Sequence, residues 1–151
     1  MSGAISYELF SARVGSTSSG FTPEGGIYET FVNNTGTSVK GTIVIASTTT
    51  NNAVDIAPTG STMPIGVIYE NAVPNGSPVK VVVYGKAEVL LEDSQDATVG
   101  YWCSVSTTDS GKMSQQISEP TDTNHNREIG HSLQSVTGGT DVLALIQLHF
   151  N

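Results

Sequence analysis

From Ile27 onward the apolar residues come in short runs: IYETFV, GTIVIAS, AVDIA, PIGVIYE, VKVVVYGKAEVLLE, YWCSVS, EIGHSLQSV and DVLALIQLHF. Between the runs stand NNTGT, TTTNN, PTGST, PNGSP, DSQD and TTDSGK, whose Gly, Asn, Asp and Pro supply the backbone angles of tight turns. Runs of this length and spacing predict an all-β barrel or sandwich. No segment carries a helical period. Residues 107–127 are polar apart from Met113 and Ile117 and read as a turn followed by a long surface loop. Residues 1–26 are rich in Gly and Ser, and Ile5, Tyr7, Leu9, Phe10 and Phe21 are too sparse there to make a core face. They read as an N-terminal arm, either a loose tail or a segment docked on another surface, ahead of a single barrel domain over 27–151.

The longest strand candidate shows period-two alternation. Val79, Val81, Val83, Ala87, Val89 and Leu91 fall on one side, with Lys80, Tyr84, Lys86, Glu88 and Glu92 on the other. Gly85 sits midway on the apolar side, where a missing side chain permits a bulge or sharp bend. Val82 and Leu90 interrupt the polar side, so part of that side is expected to be covered by the arm or by another subunit.

The carboxyl-terminal stretch REIGHSLQSVTGGTDVLALIQLHF holds two of the three histidines. Taking Gly138 and Gly139 as the centre of a two-residue primed turn sets a register. Thr137 faces Thr140, Ser135 faces Val142, Leu133 faces Ala144, His131 faces Ile146 and Ile129 faces Leu148, all on the core side. On the other side Glu128 faces His149, Gly130 faces Gln147, Ser132 faces Leu145, Gln134 faces Leu143 and Val136 faces Asp141. In this register His131 is a core histidine satisfied by backbone or loop, and His149 pairs across the strands with Glu128. The two imidazoles then point to opposite faces, which predicts no shared metal or catalytic site within the hairpin.

Composition narrows the class further. At 151 residues the chain is sized for one domain. Ser, Thr, Gly, Val and Ile favour strands and turns over helices. The formal charge is -8, with six Lys and Arg in total; such a surface repels phosphate and argues against a nucleic-acid partner. Cys103 is the single cysteine, which excludes an internal disulfide and leaves a small buried apolar residue as its simplest role. No apolar run reaches the eighteen residues of a membrane helix, and the opening MSGAISYELFSARVGS lacks the form of a signal peptide. The expectation is synthesis in the cytoplasm without a membrane partner, which makes the N-x-Ser/Thr triplets at Asn33 and Asn75 chance matches.

Other chemical signatures are weak. TTDSGKM lacks the first Gly of a phosphate loop, and Met follows its Lys. EVLLEDSQD gathers Glu88, Glu92, Asp93 and Asp96 without EF-hand spacing, so a solvated turn is set against a calcium site. Trp102 is read as a core or subunit contact, with a sugar platform as the alternative. A triad with a distant Ser and Asp carries no information in a chain so rich in Ser.

From about Gly41 to Asn151 the sequence resembles bacteriophage head decoration proteins, also called capsid cement proteins. The resemblance rests on GTIVIASTTTNNAVDIAPTGSTMPIGVIYENA, VVVYGKAEVLLEDSQDATVGYWCSVS and NREIGHSLQSVTGGTDVLALIQLHFN. The middle is generic β sequence; REIGH with the Gly-Gly pair and LHFN are the more specific parts. His125-Asn126 stands where His-Phe is usual in the family, and residues 1–26 have no match. The resemblance implies a β-barrel or β-tulip subunit that forms a homotrimer on the outer surface of the virion shell and fastens the major capsid protein. It implies no enzyme activity, cofactor or metal. The expected interface residues are Ile5, Tyr7, Leu9, Phe10, Phe21, Val82, Leu90 and Trp102. The alternative function is a β-sandwich carbohydrate- or receptor-binding module of a virion; a hydrolase recruiting His131 or His125 stands third.

Overall fold

The computed structural model describes residues 19–150. In chain order these form β1 (Ser19–Phe21), β2 (Gly26–Asn33), β3 (Ile43–Ala46), β4 (Ala53–Ile56), β5 (Pro64–Ile68), β6 (Pro78–Leu90), β7 (Trp102–Val105), β8 (Met113–Gln116), α1 (Asp122–His125), β9 (Glu128–Ser132) and β10 (Leu143–Leu148). The fold is all-β, as the alternation predicts: a closed five-stranded barrel with outer strands. The ring runs β2, β4, β3, β5, β6 and back to β2, because β6 pairs with both β5 and β2. β6 then continues past the ring to pair with β10, and β9, β7 and β8 follow in that order. No helix among the described residues is long and apolar enough to cross a membrane.

Two cores explain why so many strand residues are apolar. Val44, Val54, Ile68, Val79 and Val81, with Phe31 packed against them, come from all five ring strands and fill the barrel. Ile43, Val67 and Val82 lie on the outside of the same wall and join Ala87, Val89, Cys103, Val105, Met113, Ile129, Ala144, Ile146 and Leu148 in a second core under the β10-β9-β7-β8 extension. A strand buried on both sides reads as a continuous apolar run, which is what Val81, Val82 and Val83 form. Val82 and Leu90 are therefore interior, 1 % and 5 % exposed, and not the partner surface expected of them. Val82 belongs to the second core, and Leu90 lies beneath the Val39–Gly41 loop, where its amide donates to the Gly41 carbonyl.

β6 also changes face midway. Ile27 pairs with Tyr84 but Tyr28 pairs with Val82, so Val83 is an extra residue. This one-residue bulge moves the second-core positions from even to odd numbers, and Val82 and Ala87 share a core. At Gly85, where a bulge or bend was expected, the bulge lies two residues earlier, while Gly85 itself has a φ of +83° and a Cβ there would meet the Gly25 carbonyl at 2.5 Å.

Three other expectations meet a different outcome. The sheet begins before Ile27, because Ser19, Gly20 and Phe21 pair with Glu29, Tyr28 and Ile27. Residues 107–127 are not all loop: Met113, buried in the second core, anchors β8, which pairs with β7. The Gly138-Gly139 pair does not close a tight hairpin, and neither glycine has a positive φ. Residues 133–142 instead form a loop laid against 94–99, with an Ala97–Val136 bridge and a 2.7 Å bond from the Gly138 amide to Asp96 Oδ1. A Cβ at Gly138 would meet the Gln95 carbonyl at 2.2 Å, so this glycine serves close approach. Leu133, expected in the core, is 40 % exposed.

Candidate functional site

The register between β9 and β10 is one residue off the expected one. Gln147 faces His131, Leu148 faces Gly130 and Ile146 faces Ser132. A slip of one residue carries every side chain to the opposite face, and His131 accordingly leaves the core side for the outer side. Ile129 nevertheless stays in the core, because β9 carries its own bulge. Trp102 pairs with His131 and Cys103 with Gly130, but Ser104 pairs with Glu128. Ile129 is the extra residue, so Glu128 and His131, three apart, share the outer face with Trp102.

Gly130 makes this bulge possible. Its φ is +147°, and a Cβ there would lie 1.9 Å from the Gln147 carbonyl oxygen. Just past it, the Ile129 carbonyl accepts the His149 amide at 2.9 Å, which places His149 beside Glu128. The one-turn helix α1, entered through Thr121, lowers His125 onto the same group; the His125 amide donates to the Thr121 carbonyl at 3.0 Å.

All three histidines of the chain thus converge on one carboxylate. Glu128 is 2 % exposed. His125 Nδ1 lies 3.0 Å from its Oε2, and His149 Nε2 lies 3.0 Å from its Oε1. His149 Nε2 is also 3.1 Å from His131 Nδ1. The Oε1–His149 approach is close but off the direction of a hydrogen bond, which leaves Oε1 buried without a donor among the described residues. Trp102 closes the cluster, its ring tilted on His131 at a centroid distance of 4.3 Å and edge-on to His125 and His149. A buried carboxylate is strongly disfavoured unless charge or hydrogen bonds compensate it, and here His125 supplies a hydrogen-bond contact to Oε2 alone.

The expectation that the two hairpin histidines stand apart is therefore overturned, as is the reading of His131 as a core residue. The expected Glu128–His149 pairing is present, although by the bulge and not by direct opposition. His125 was expected only as an alternative to His131 in a hydrolase, not as a neighbour of Glu128. The signal for it was the helix turn TDTNH ending three residues before Glu128, too short to show a period.

Of the expected interface residues, Phe21 is 83 % exposed on β1 and Trp102 is half-buried against the imidazoles. Ile5, Tyr7, Leu9 and Phe10 lie outside the described residues. The four carboxylates weighed as a calcium site each have a separate partner. Glu88 pairs with Lys40 at 2.7 Å, Glu92 accepts from Ser106 Oγ at 2.6 Å, Asp93 pairs with Lys112 at 2.6 Å and Asp96 takes the Gly138 amide at 2.7 Å. A shallow depression of about 250 Å³ lies between Asp96–Thr98 and Ser135–Thr137, apart from the histidine residues. Cys103 is buried, and burial pushes its thiol up to about 12.

No family model matches this chain, and no curated protein matches it.

Proposed function

We propose that this protein is a bacteriophage head decoration protein, a structural part that docks as a homotrimer on the outer shell surface and fastens the major capsid protein. The observation that carries the reading is an apolar row across three strands. Phe21 on β1 pairs with Ile27 on β2, which pairs with Tyr84 on β6. Direct partners share a face, and Phe21 and Tyr84 are 83 % and 63 % exposed. β1 is an edge strand among the described residues, so within them the row adjoins an unpaired backbone edge, the combination that favours contact with another chain. Modest contacts of this kind reinforce one another when repeated over a lattice. The net charge of -8 suits a subunit that stays soluble until it docks.

The test mixes the purified protein with undecorated, expanded shells and counts bound copies, alongside a measurement of its mass in solution. Saturable binding by a trimer supports the reading. Exchange of Phe21 and Tyr84 for Ser should weaken binding about tenfold or more while leaving the circular dichroism spectrum unchanged. No binding at micromolar protein, or a strict monomer, overturns it.

A further inference from the structure

We propose that Glu128, His131 and His149 form a binding site for a divalent first-row transition metal ion, with Zn2+ as its natural probe. The inference goes beyond the decoration reading and does not depend on it.

One carboxylate oxygen and two imidazole nitrogens, from Glu128, His131 and His149, all lie within 4.8 Å of one another. Two of the separations are shorter, 3.0 Å from His149 Nε2 to Glu128 Oε1 and 3.1 Å from His149 Nε2 to His131 Nδ1. An ion bound at about 2.0–2.2 Å by nitrogen and oxygen sets neighbouring ligand atoms roughly 3.0–3.4 Å apart. Two of the three ligand pairs, both through His149 Nε2, therefore already have the spacing of adjacent ligands, and the third pair lies within 4.8 Å.

Hydrogen-bond accounting points the same way. His149 Nε2 carries at most one proton, yet it faces both Glu128 Oε1 and His131 Nδ1. Oε1 is left buried without a donor among the described residues, an arrangement that buried polar atoms seldom keep. A cation at the centre takes a lone pair from all three atoms at once. His125 Nδ1 holds the other oxygen of Glu128 at 3.0 Å, which aims Oε1 at the imidazoles; outer partners of this kind orient carboxylate ligands. Trp102 against His131 supplies an apolar wall. The two-nitrogen, one-oxygen set selects zinc and its neighbours over Ca2+ or Mg2+.

The experiment uses the untagged, EDTA-treated full chain. Isothermal titration with Zn2+ should show one site per chain with micromolar or tighter affinity, and Ca2+ should show none. Cu2+ or Ni2+ should quench the fluorescence of Trp102, the chain's single tryptophan. Zn2+ at about a hundredfold excess over Kd should raise Tm by roughly 5–10 °C. His131→Ala and His149→Ala should each weaken binding by about a hundredfold or more, and His125→Ala by about 10–100-fold. Glu128→Gln belongs in the series, but its burial puts folding at risk. His149→Ala, at a side chain 40 % exposed, keeps the test open. A folded wild type that binds no Zn2+ at about 100 µM overturns the proposal. So does a folded His131→Ala/His149→Ala double variant with undiminished affinity, since the ion then sits elsewhere.

Discussion

Replacing Gly130 by Ala probes the feature on which the histidine cluster depends. An alanine Cβ at this position falls 1.9 Å from the Gln147 carbonyl oxygen, whereas ordinary contact begins at 3.4 Å. The obstacle is backbone, so it cannot rotate aside; β9 must move away from β10 by more than an ångström. The φ of +147° adds backbone strain of about 1–3 kcal/mol, and each ladder bond lost in the separation adds about 1 kcal/mol. Together these destabilise the fold by about 3 kcal/mol or more, a drop of roughly 6–12 °C in Tm for a chain of this size. Gly36 is the control: its φ is +82° but, among the described residues and apart from its chain neighbours, no atom lies within 4 Å of the added Cβ. Gly36→Ala should cost about 1–2 kcal/mol from the backbone alone. Urea unfolding followed by Trp102 fluorescence and far-UV circular dichroism measures both. A Gly130→Ala midpoint no lower than that of Gly36→Ala would refute the crowding argument, and with it the claim that the bulge builds the site.

Two further outcomes follow from groups outside the cluster. Cys103 is buried with its thiol raised to about 12 by burial, so a thiol reagent at pH 8 should label the native protein only as fast as it unfolds, and completely in urea. Labelling within seconds in native buffer would contradict this packing. Lys112 Nζ donates to Asp93 Oδ1 at 2.6 Å and to Asp141 Oδ1 at 2.9 Å, joining the 133–142 loop to the turn after β6. The hydrogen bond from Lys112 holds the Asp93 carboxyl below its ordinary 3.8. A depressed folded value contributes stability above the unfolded value and loses it as the pH falls. The Tm gap between wild type and Lys112→Met should thus be constant from pH 6 to 8 and narrow below 3.8; a gap that widens in acid would show the sign to be wrong.

The strands were legible where one residue type carried the signal. Val79 and Val81, Ile43 to Ile45, and Leu143 to Leu148 alternate or run apolar because they face a core on one or both sides, and burial of that surface is the main driving force for their pairing. β8 was not legible, since of MSQQ only Met113 is buried in the core. The site was half legible. Glu128 and His149 face each other in the register that the sequence predicts, whereas His131 reaches them only because the register slips by one and Ile129 is extruded.

What the amino-acid order determines alone is the class: short apolar runs between turn-formers, one buried cysteine and an acidic surface specify a β fold. What only the tertiary structure decides is which side of a strand meets which neighbour. A bulge depends on long-range pairing, here Gly130 against Gln147 and Cys103 at once, and no local preference encodes it. A single extra residue reverses the parity of everything beyond it. That is why three histidines spread over residues 125–149 close around one buried carboxylate only when β7, β9 and β10 lie side by side.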